Sequence, residues 1–505
     1  MSQEFAQVIK DGYTFSGPVI EVGRAIRGGK VFPELPVRLP FAMLNRHGLV
    51  AGATGTGKTK TLQLMAGVIS DAGVPVFLAD LKGDLAGIAK SGIAGEKAQA
   101  RCKELGVAFK PQGHPIEFLS LTGKQGTQVR ATVSSFGPLL LAKVLDLNDT
   151  QQGVLALLFK FCDDQHLPIL DLPDLKMVLN YLQGLDAQQL ANYGGMSRAT
   201  LGVINRKLVE LEQQGADLFL GEPEFDIKDL LRTTPDGKGI ISILSLTDIQ
   251  DRPALFSTFM MWLLGELFHQ LPERGDVDKP VLVFFFDEAH LLFEEASKSL
   301  LNQIEQVVKL IRSKGIGVYF VTQTPKDIPA DVLAQLGNRF QHALRAFTPD
   351  DAKALKATAG TFPRTPFYDI EKELTSLGIG EALVTVLDAQ GRPTPVVATR
   401  MLPPDSLMGT LDEQTFQAAV RAGTLQAKYA QAIDRESARE ILQKKMTTPV
   451  GAGSKSGAPG DLAGVSDWKN SAASVAKEIL KSPLTRQVGR EVVRGIFSML
   501  KKNLR

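Results

Sequence analysis

The sequence predicts a three-layer α/β fold around a largely parallel β-sheet. Three observations carry that reading. Five short runs are almost continuously apolar, as strands covered on both faces must be. Stretches of helical periodicity separate them, which implies right-handed crossovers between parallel neighbours. A glycine-rich turn joins one strand directly to a helix, so an open sheet edge is built to face a ligand. At 505 residues the chain is too long for one ordinary core, and two or three folding units are expected.

Residues 1–42 read as a small N-terminal β-element, suggested by "GPVIEVGRAIRGGKVF". The first core segment spans 43–138. In it "RHGLVAG" (46–52) is a short buried strand, the following residues form a helix ending at a glycine, and "VPVFLAD" (74–80) is a second strand. Residues 139–234 are helical without a strong strand and read as an insertion. The second core segment, 235–400, holds the strands "GIISILSL" (239–246), "VLVFFFDE" (281–288) and "GVYFVTQ" (317–323), with helices over 252–271 and 298–313 between them. It closes on "EALVTVLDAQGRPTPVVATRML" (381–402), a hairpin turning at Gln390–Gly391. C-terminal helices follow over 401–446. Residues 447–470 are rich in Gly, Ser and Pro and read as a flexible linker. Residues 471–505 read as a basic amphipathic helix.

Composition excludes several classes. Hydrophobic residues are 44% and charged residues 22%, ordinary for a soluble globular chain. Net charge is +2, so nucleic-acid binding needs local patches rather than bulk charge. The two cysteines, Cys102 and Cys162, cannot make a disulfide framework and suit a reducing cytoplasm. No secretion signal opens the chain. The most apolar run, residues 254–268, is too short and too interrupted by polar residues to span a bilayer.

The glycine-rich turn is Gly52-Ala53-Thr54-Gly55-Thr56-Gly57-Lys58-Thr59, followed by Lys60. It matches the spacing GxxxxGK[ST]. Glycines let successive backbone N–H groups point inward at an anion, and the helix adds its positive N-terminal end. Residues 52–60 are therefore the candidate triphosphate cradle. Lys58 is expected to reach the β- and γ-phosphates and the Thr59 hydroxyl to bind Mg²⁺.

"VLVFFFDEAH" supplies the second half of such a site. Asp287 ends the strand and would hold the Mg²⁺ shell, while Glu288 would activate a water as general base. Paired acids favour hydrolysis over phosphate transfer to a small molecule. His290 either takes part or only packs. No NKxD-like stretch reads guanine, so ATP is the expected nucleotide. "DEAH" also invites a two-lobed helicase, but no second nucleotide lobe is visible. Thr322 and Gln323 end the next strand, where a glutamine can orient the water or report the γ-phosphate. Arg312, Arg339 and Arg345 are near in sequence, with Arg339 and Arg345 the candidates for an arginine supplied in trans. Asp80, Lys82 and Asp84 in "LADLKGD" stand at the end of the second strand, either in the site or in a loop ion pair.

Four stretches together, "RHGLVAGATGTGKT", "LADLKGD", "VFFFDEAH" and "VYFVTQTP", resemble the motifs of the HerA/FtsK superfamily of ring-forming ATPases, and within it a bacterial HerA-like branch. The similarity extends over most of residues 10–446. It implies a RecA-like P-loop NTPase core, a homo-hexameric ring and ATP-driven movement of double-stranded DNA. By that resemblance Lys58 and Thr59 bind nucleotide, Asp287 and Glu288 act with Mg²⁺, and Gln323 senses phosphate. HerA helicases carry a substantial N-terminal β-barrel; here about 45 residues precede the loop, which weakens the expectation of a nuclease or other DNA-processing partner.

The segment 466–505 holds nine Lys or Arg against three acids, with Arg486, Arg490 and Arg494 on one helix face. Such a helix binds DNA phosphates, an anionic membrane or a partner, or docks on its own protein. Two further functional readings stay open. One is an ATP-switched assembly or coupling module acting on protein or membrane partners. The other is a small-molecule P-loop enzyme, active as a monomer.

Overall fold

The computed structural model describes residues 2–447, apart from 187–189, 191–195, 276, 294–297 and 434. The tail helix and all but the first residue of the linker lie outside the described residues. A first compact unit takes in the described residues of 2–268 and 272–442; residues 269–271 and 443–447 fall outside it. The sheet and the site lie in the first.

The described strands are β1 (Val19–Arg27), β2 (Lys30–Pro40), β3 (Gly48–Ala51), β4 (Val76–Asp80), β5 (Ile116–Ser120), β6 (Thr127–Gln128), β7 (Ile241–Ser245), β8 (Leu282–Phe286), β9 (Ile316–Thr322), β10 (Asn338–His342), β11 (Glu381–Thr385) and β12 (Val397–Met401). They form one sheet in the order β2-β1-β12-β11-β10-β3-β9-β8-β4-β7-β5-β6. From β10 to β6 every neighbouring pair is parallel. From β10 to β2 every pair is antiparallel. The five apolar runs are β3, β4, β7, β8 and β9, each buried along its whole length.

Alternation along these strands feeds two faces. Val50, Leu78, Phe285 and Val321 pack with Leu62, Met65 and Ile69 of the helix Lys58–Asp71, in a core that also takes Phe5 and Ile9 of the helix Ser2–Gly12. On the other face Phe286 stacks on Phe320, which also meets Phe293. Helices on both faces give the expected three layers, and in the parallel half every strand ends at one shared carboxyl edge.

Four helices make up most of the helical region between β6 and β7: Val133–Val144, Asp149–Asp164, Leu172–Gly184 and Arg198–Gln213. Two start on reciprocal caps, Asn148 with Gln151 and Asp171 with Asp174, which satisfy orphan N–H groups. Trp262 of the helix Pro253–Gln270 stacks on Phe136 and donates to Ser135 Oγ at 3.0 Å, tying this helical region to the core.

Three strands were not apparent as apolar runs. β10, "NRFQH", is mostly polar, yet Asn338 and His342 are fully buried because their polar atoms are paired inside the protein. Asn338 Nδ2 donates to Met43 O at 2.9 Å and His47 O at 3.0 Å. β5 buries Glu117 against Arg232, and β6 is only two residues long.

Candidate functional site

The site is assembled by strand order. β3, β9, β8 and β4 lie side by side and parallel, so the segments leaving their carboxyl ends meet along one rim. In sequence those segments are 52–57, 322–323, 287–288 and 80–84. The strand carrying Gln323 therefore lies between the glycine-rich loop and the acid pair.

The loop has the backbone its glycines allow. Gly52, Gly55 and Gly57 have φ of 154°, 77° and 114°, and Gly57 precedes the helix Lys58–Asp71. Its frame is anchored from both sides. Gly52 N donates to Thr322 O at 3.2 Å, Ala53 N to Ala343 O at 2.8 Å, and Gly380 N to Thr56 O at 2.9 Å. Thr54 and Gly55 are the loop's tip, where the chain opens to solvent. Lys58 folds back, donating to Gly52 O at 2.7 Å and Ala53 O at 3.2 Å. Burial lowers the pKa of Lys58, while the charges of Glu288 and Asp287 pull it back up. Thr59 lies in the first helical turn, and Lys60 Nζ donates to Met408 O at 2.9 Å.

Asp287 and Glu288 are 5% and 3% exposed. Asp287 accepts from Glu288 N at 3.0 Å through Oδ1, but its Oδ2 has no hydrogen-bond partner. Burial first, and the Glu288 charge second, push Asp287 up to about 7. Glu288 sits at φ 48°, ψ 49°, a left-handed conformation that costs energy for a residue with a Cβ. Its Oε1 is paired with Lys82 Nζ, and its Oε2 lacks a hydrogen-bond partner, with His290 Nδ1 3.4 Å away. Burial opposes the charge on Lys82, but the Glu288 hydrogen bond and the charges of Glu288, Asp287 and Asp84 outweigh it and raise its pKa. Buried carboxylate oxygens without a hydrogen-bond partner are expensive, and a hard cation or a water is the natural partner for such atoms. The orphaned Oδ2 of Asp287 is an oxygen of the kind Mg²⁺ takes.

Asp80 is buried for a different reason. Its oxygens accept from Gly83 N at 2.7 Å and Leu85 N at 3.2 Å, shaping the turn that presents Lys82, and burial pushes its carboxyl up to about 6. Of the alternatives the sequence left open, Lys82 falls on the acid pair and Asp80 on the loop backbone. Gln323 is exposed at the mouth; Thr322 is buried and donates to Asp327 Oδ2 at 2.7 Å.

The arginines separate. Arg345 follows β10 at the same carboxyl edge, exposed, with Nη1 donating to Thr375 O at 2.9 Å. Arg339 pairs in register with Leu49, inside the sheet and below the rim, and burial lowers its pKa. His342 was not singled out by sequence. It floors the loop: a Cβ on Gly52 would come within 2.5 Å of its own Cβ, and its Nε2 lies 3.0 Å from Thr61 Oγ1. Burial holds its ring near 4, so it is neutral, donating from Nδ1 to Glu381 O and accepting from Thr61. The signal that could have found it is its place just before the arginine-bearing rim, but polar β10 hid the strand itself.

Comparison with known proteins supplies the family. The family model described as Helicase HerA-like C-terminal matches residues 29–505. The DNA double-strand break repair helicase HerA of Sulfurisphaera tokodaii is 22% identical over 377 residues, 73% of this chain and 67% of that protein. Its counterpart in Saccharolobus solfataricus is 20% identical over 361 residues, 71% of this chain and 65% of that protein. The chain thus spans 65–67% of the length of these two relatives. The unbound bacterial conjugative coupling protein TrwBdeltaN70 superposes with a TM-score of 0.51 at 15% identity, covering 79% of this chain and 97% of that chain. At that identity the likeness speaks for the fold alone. The chain belongs to the HerA-like helicase family.

Proposed function

We propose that the protein is a ring-forming ATPase that uses ATP and Mg²⁺ to translocate or remodel double-stranded DNA. The observation that supports this reading is the shared rim: β3, β9, β8 and β4 end side by side, so the loop with Lys58 and the pair Asp287–Glu288, each with one buried oxygen lacking a hydrogen-bond partner, leave the sheet at one edge.

In this reading the backbone N–H groups of residues 52–60 cradle the phosphates, and Lys58 leaves the Gly52 and Ala53 carbonyls for the β- and γ-phosphates. Thr59 and Asp287 would hold Mg²⁺, which supplies charge neutralisation on the phosphates when bound. Glu288 Oε2 takes a proton from water as the water oxygen bonds to the γ-phosphorus. The bond from that phosphorus to the bridging oxygen breaks, and ADP leaves with the electron pair. Gln323 orients the water. Arg345, exposed at the rim, is the stronger candidate for an arginine given to a neighbouring subunit; Arg339, the second residue of β10, lies near the amino end of that strand, away from the carboxyl rim.

Duplex DNA as the polymer rests on the relatives, two of which are named as DNA repair helicases. The test is the ATPase rate with and without duplex DNA, alongside the mass of the assembly. DNA should raise the rate, and added salt should erase the gain steeply because phosphate contacts release counterions. An unchanged rate at low salt in a monomeric protein would overturn the proposal. Lys58→Ala should abolish turnover; normal kcat in that variant refutes the loop assignment.

A further inference from the structure

We propose that Lys82 is the positioning residue of the general base, holding Glu288 so that one carboxylate oxygen alone is free to take the proton. The inference rests on the reading of Glu288 just given. It arises from three features of the structure.

First, Lys82 and Glu288 come from different strands and are separated by 206 residues, so their contact is a product of the sheet order. β4 flanks β8 on the side away from β9 and β3, so Lys82 and the phosphate loop leave the sheet on opposite sides of the strand that carries Glu288. Second, the pair is lopsided. The Lys82 side chain is 49% exposed while that of Glu288 is 4% exposed. A half-exposed lysine that pairs with a nearly buried acid serves the acid, since a surface partner would cost less to reach. Third, Glu288 is over-determined. Its backbone is left-handed, its N–H is taken by Asp287 Oδ1, and its Oε1 is taken by Lys82, leaving Oε2 buried without a hydrogen-bond partner.

The two oxygens of a carboxylate are chemically equivalent, and a glutamate has three torsions to turn them. Lys82 breaks that equivalence. With Oε1 anchored, the side chain has one orientation and one available acceptor, which is what a base needs to meet a water at bonding distance. The turn that aims Lys82 is itself fixed by Asp80, which accepts from the backbone N–H groups of Gly83 and Leu85 just after it. Among the described residues, His290 Nδ1 also lies 3.4 Å from Glu288 Oε2, and Lys58, Asp287 and Asp84 add charges around the pair.

The test uses the full chain, with kcat for ATP hydrolysis, ATP affinity by equilibrium binding and melting temperature measured together. Lys82→Ala should lower kcat about 10–100-fold, the scale of a misplaced reacting group. ATP affinity should stay within about threefold, while melting temperature should fall modestly because Glu288 Oε1 is left buried without its partner, so kcat is taken per folded molecule. Lys82→Arg, which keeps the charge and reach, should recover most of the rate. In a Glu288→Gln background, Lys82→Ala should slow residual turnover no further, since it acts through a group already removed. Unchanged or faster hydrolysis in Lys82→Ala overturns the proposal. So does a loss of ATP affinity with kcat retained, which would make Lys82 a phosphate ligand. A further slowing on top of Glu288→Gln overturns it as well. Normal turnover in Glu288→Gln alone sinks the base assignment and this inference with it, so the two failures read out on different variants.

Discussion

Two regions of this molecule bury carboxylates, and they do so to opposite ends. Glu117 on β5 is 3% exposed and Asp174, in the insertion, is 1% exposed, as deep as Asp287 and Glu288. Yet Glu117 accepts from Arg232 Nη2 at 3.0 Å, Thr424 Oγ1 at 3.0 Å and Leu425 N at 3.2 Å. Asp174 accepts from Leu170 N at 2.9 Å and Arg439 N at 3.1 Å, and from the Ser437 hydroxyl. Each stitches a C-terminal segment onto the body of the protein. At the rim of β8, by contrast, Asp287 Oδ2 and Glu288 Oε2 have no hydrogen-bond partner. Depth does not distinguish the two regions; satisfaction of the lone pairs does. A fully bonded buried acid is a rivet, and an incompletely bonded one is held in readiness for something not yet bound.

The sharpest way to break this contrast is to neutralise one acid in each region. Glu288→Gln should cut kcat by about 10²–10⁴-fold, the range for losing a general base, while ATP still binds. Loss of binding instead would make Glu288 a structural acid like Glu117. Glu117→Gln should do the reverse. Unfolding by urea should show a loss of about 1–3 kcal/mol, because Arg232 and the Thr424–Leu425 backbone lose a charged acceptor, with ATPase per folded molecule unchanged. A loss of turnover at unchanged stability would erase the distinction.

The smallest effect refines the cost of readiness. Burial raises Asp287 from the ordinary 3.8 to about 7, so its charged form is disfavoured in the folded protein. The sign follows. Above about pH 7 both folded and unfolded chains carry the charge and the folded state bears the whole penalty; as pH falls toward 4 the folded carboxyl takes up its proton and the penalty disappears. Asp287→Asn removes it. In chelator, the variant should melt about 2–4 °C above the parent at pH 8. That margin should shrink as pH falls toward 5. An equal or lower melting temperature at pH 8 would mean that Asp287 is satisfied in the folded protein after all.

Much of the site could be read before folding, for local reasons. The phosphate loop is a contiguous run whose glycines set its own backbone, and Gly52, Gly55 and Gly57 have the φ values this requires. The strands β3, β4, β7, β8 and β9 announce themselves because burial on both faces demands apolar residues at nearly every position. β10 does not. Its buried Asn338 and His342 are tolerated only because partners from residues 43–47, 61 and 381 reach them, and no window of sequence contains those partners. Arg339 and Arg345 looked alike in sequence; six residues of chain separate one inside the sheet from one on its rim.

By itself, then, the sequence determined the groups on offer: a glycine-rich loop between strand and helix, an acid pair ending an apolar strand, and a lysine after another. These are encoded in near-neighbour spacing, which backbone geometry translates directly into structure. The tertiary structure decided which of these groups meet. Placing β9 between loop and acids, and β4 behind the acids, set the distance across which Lys58 acts and gave Glu288 to Lys82. Strand order is settled by how helices cover both faces of the whole sheet, a collective packing problem that no local stretch can state.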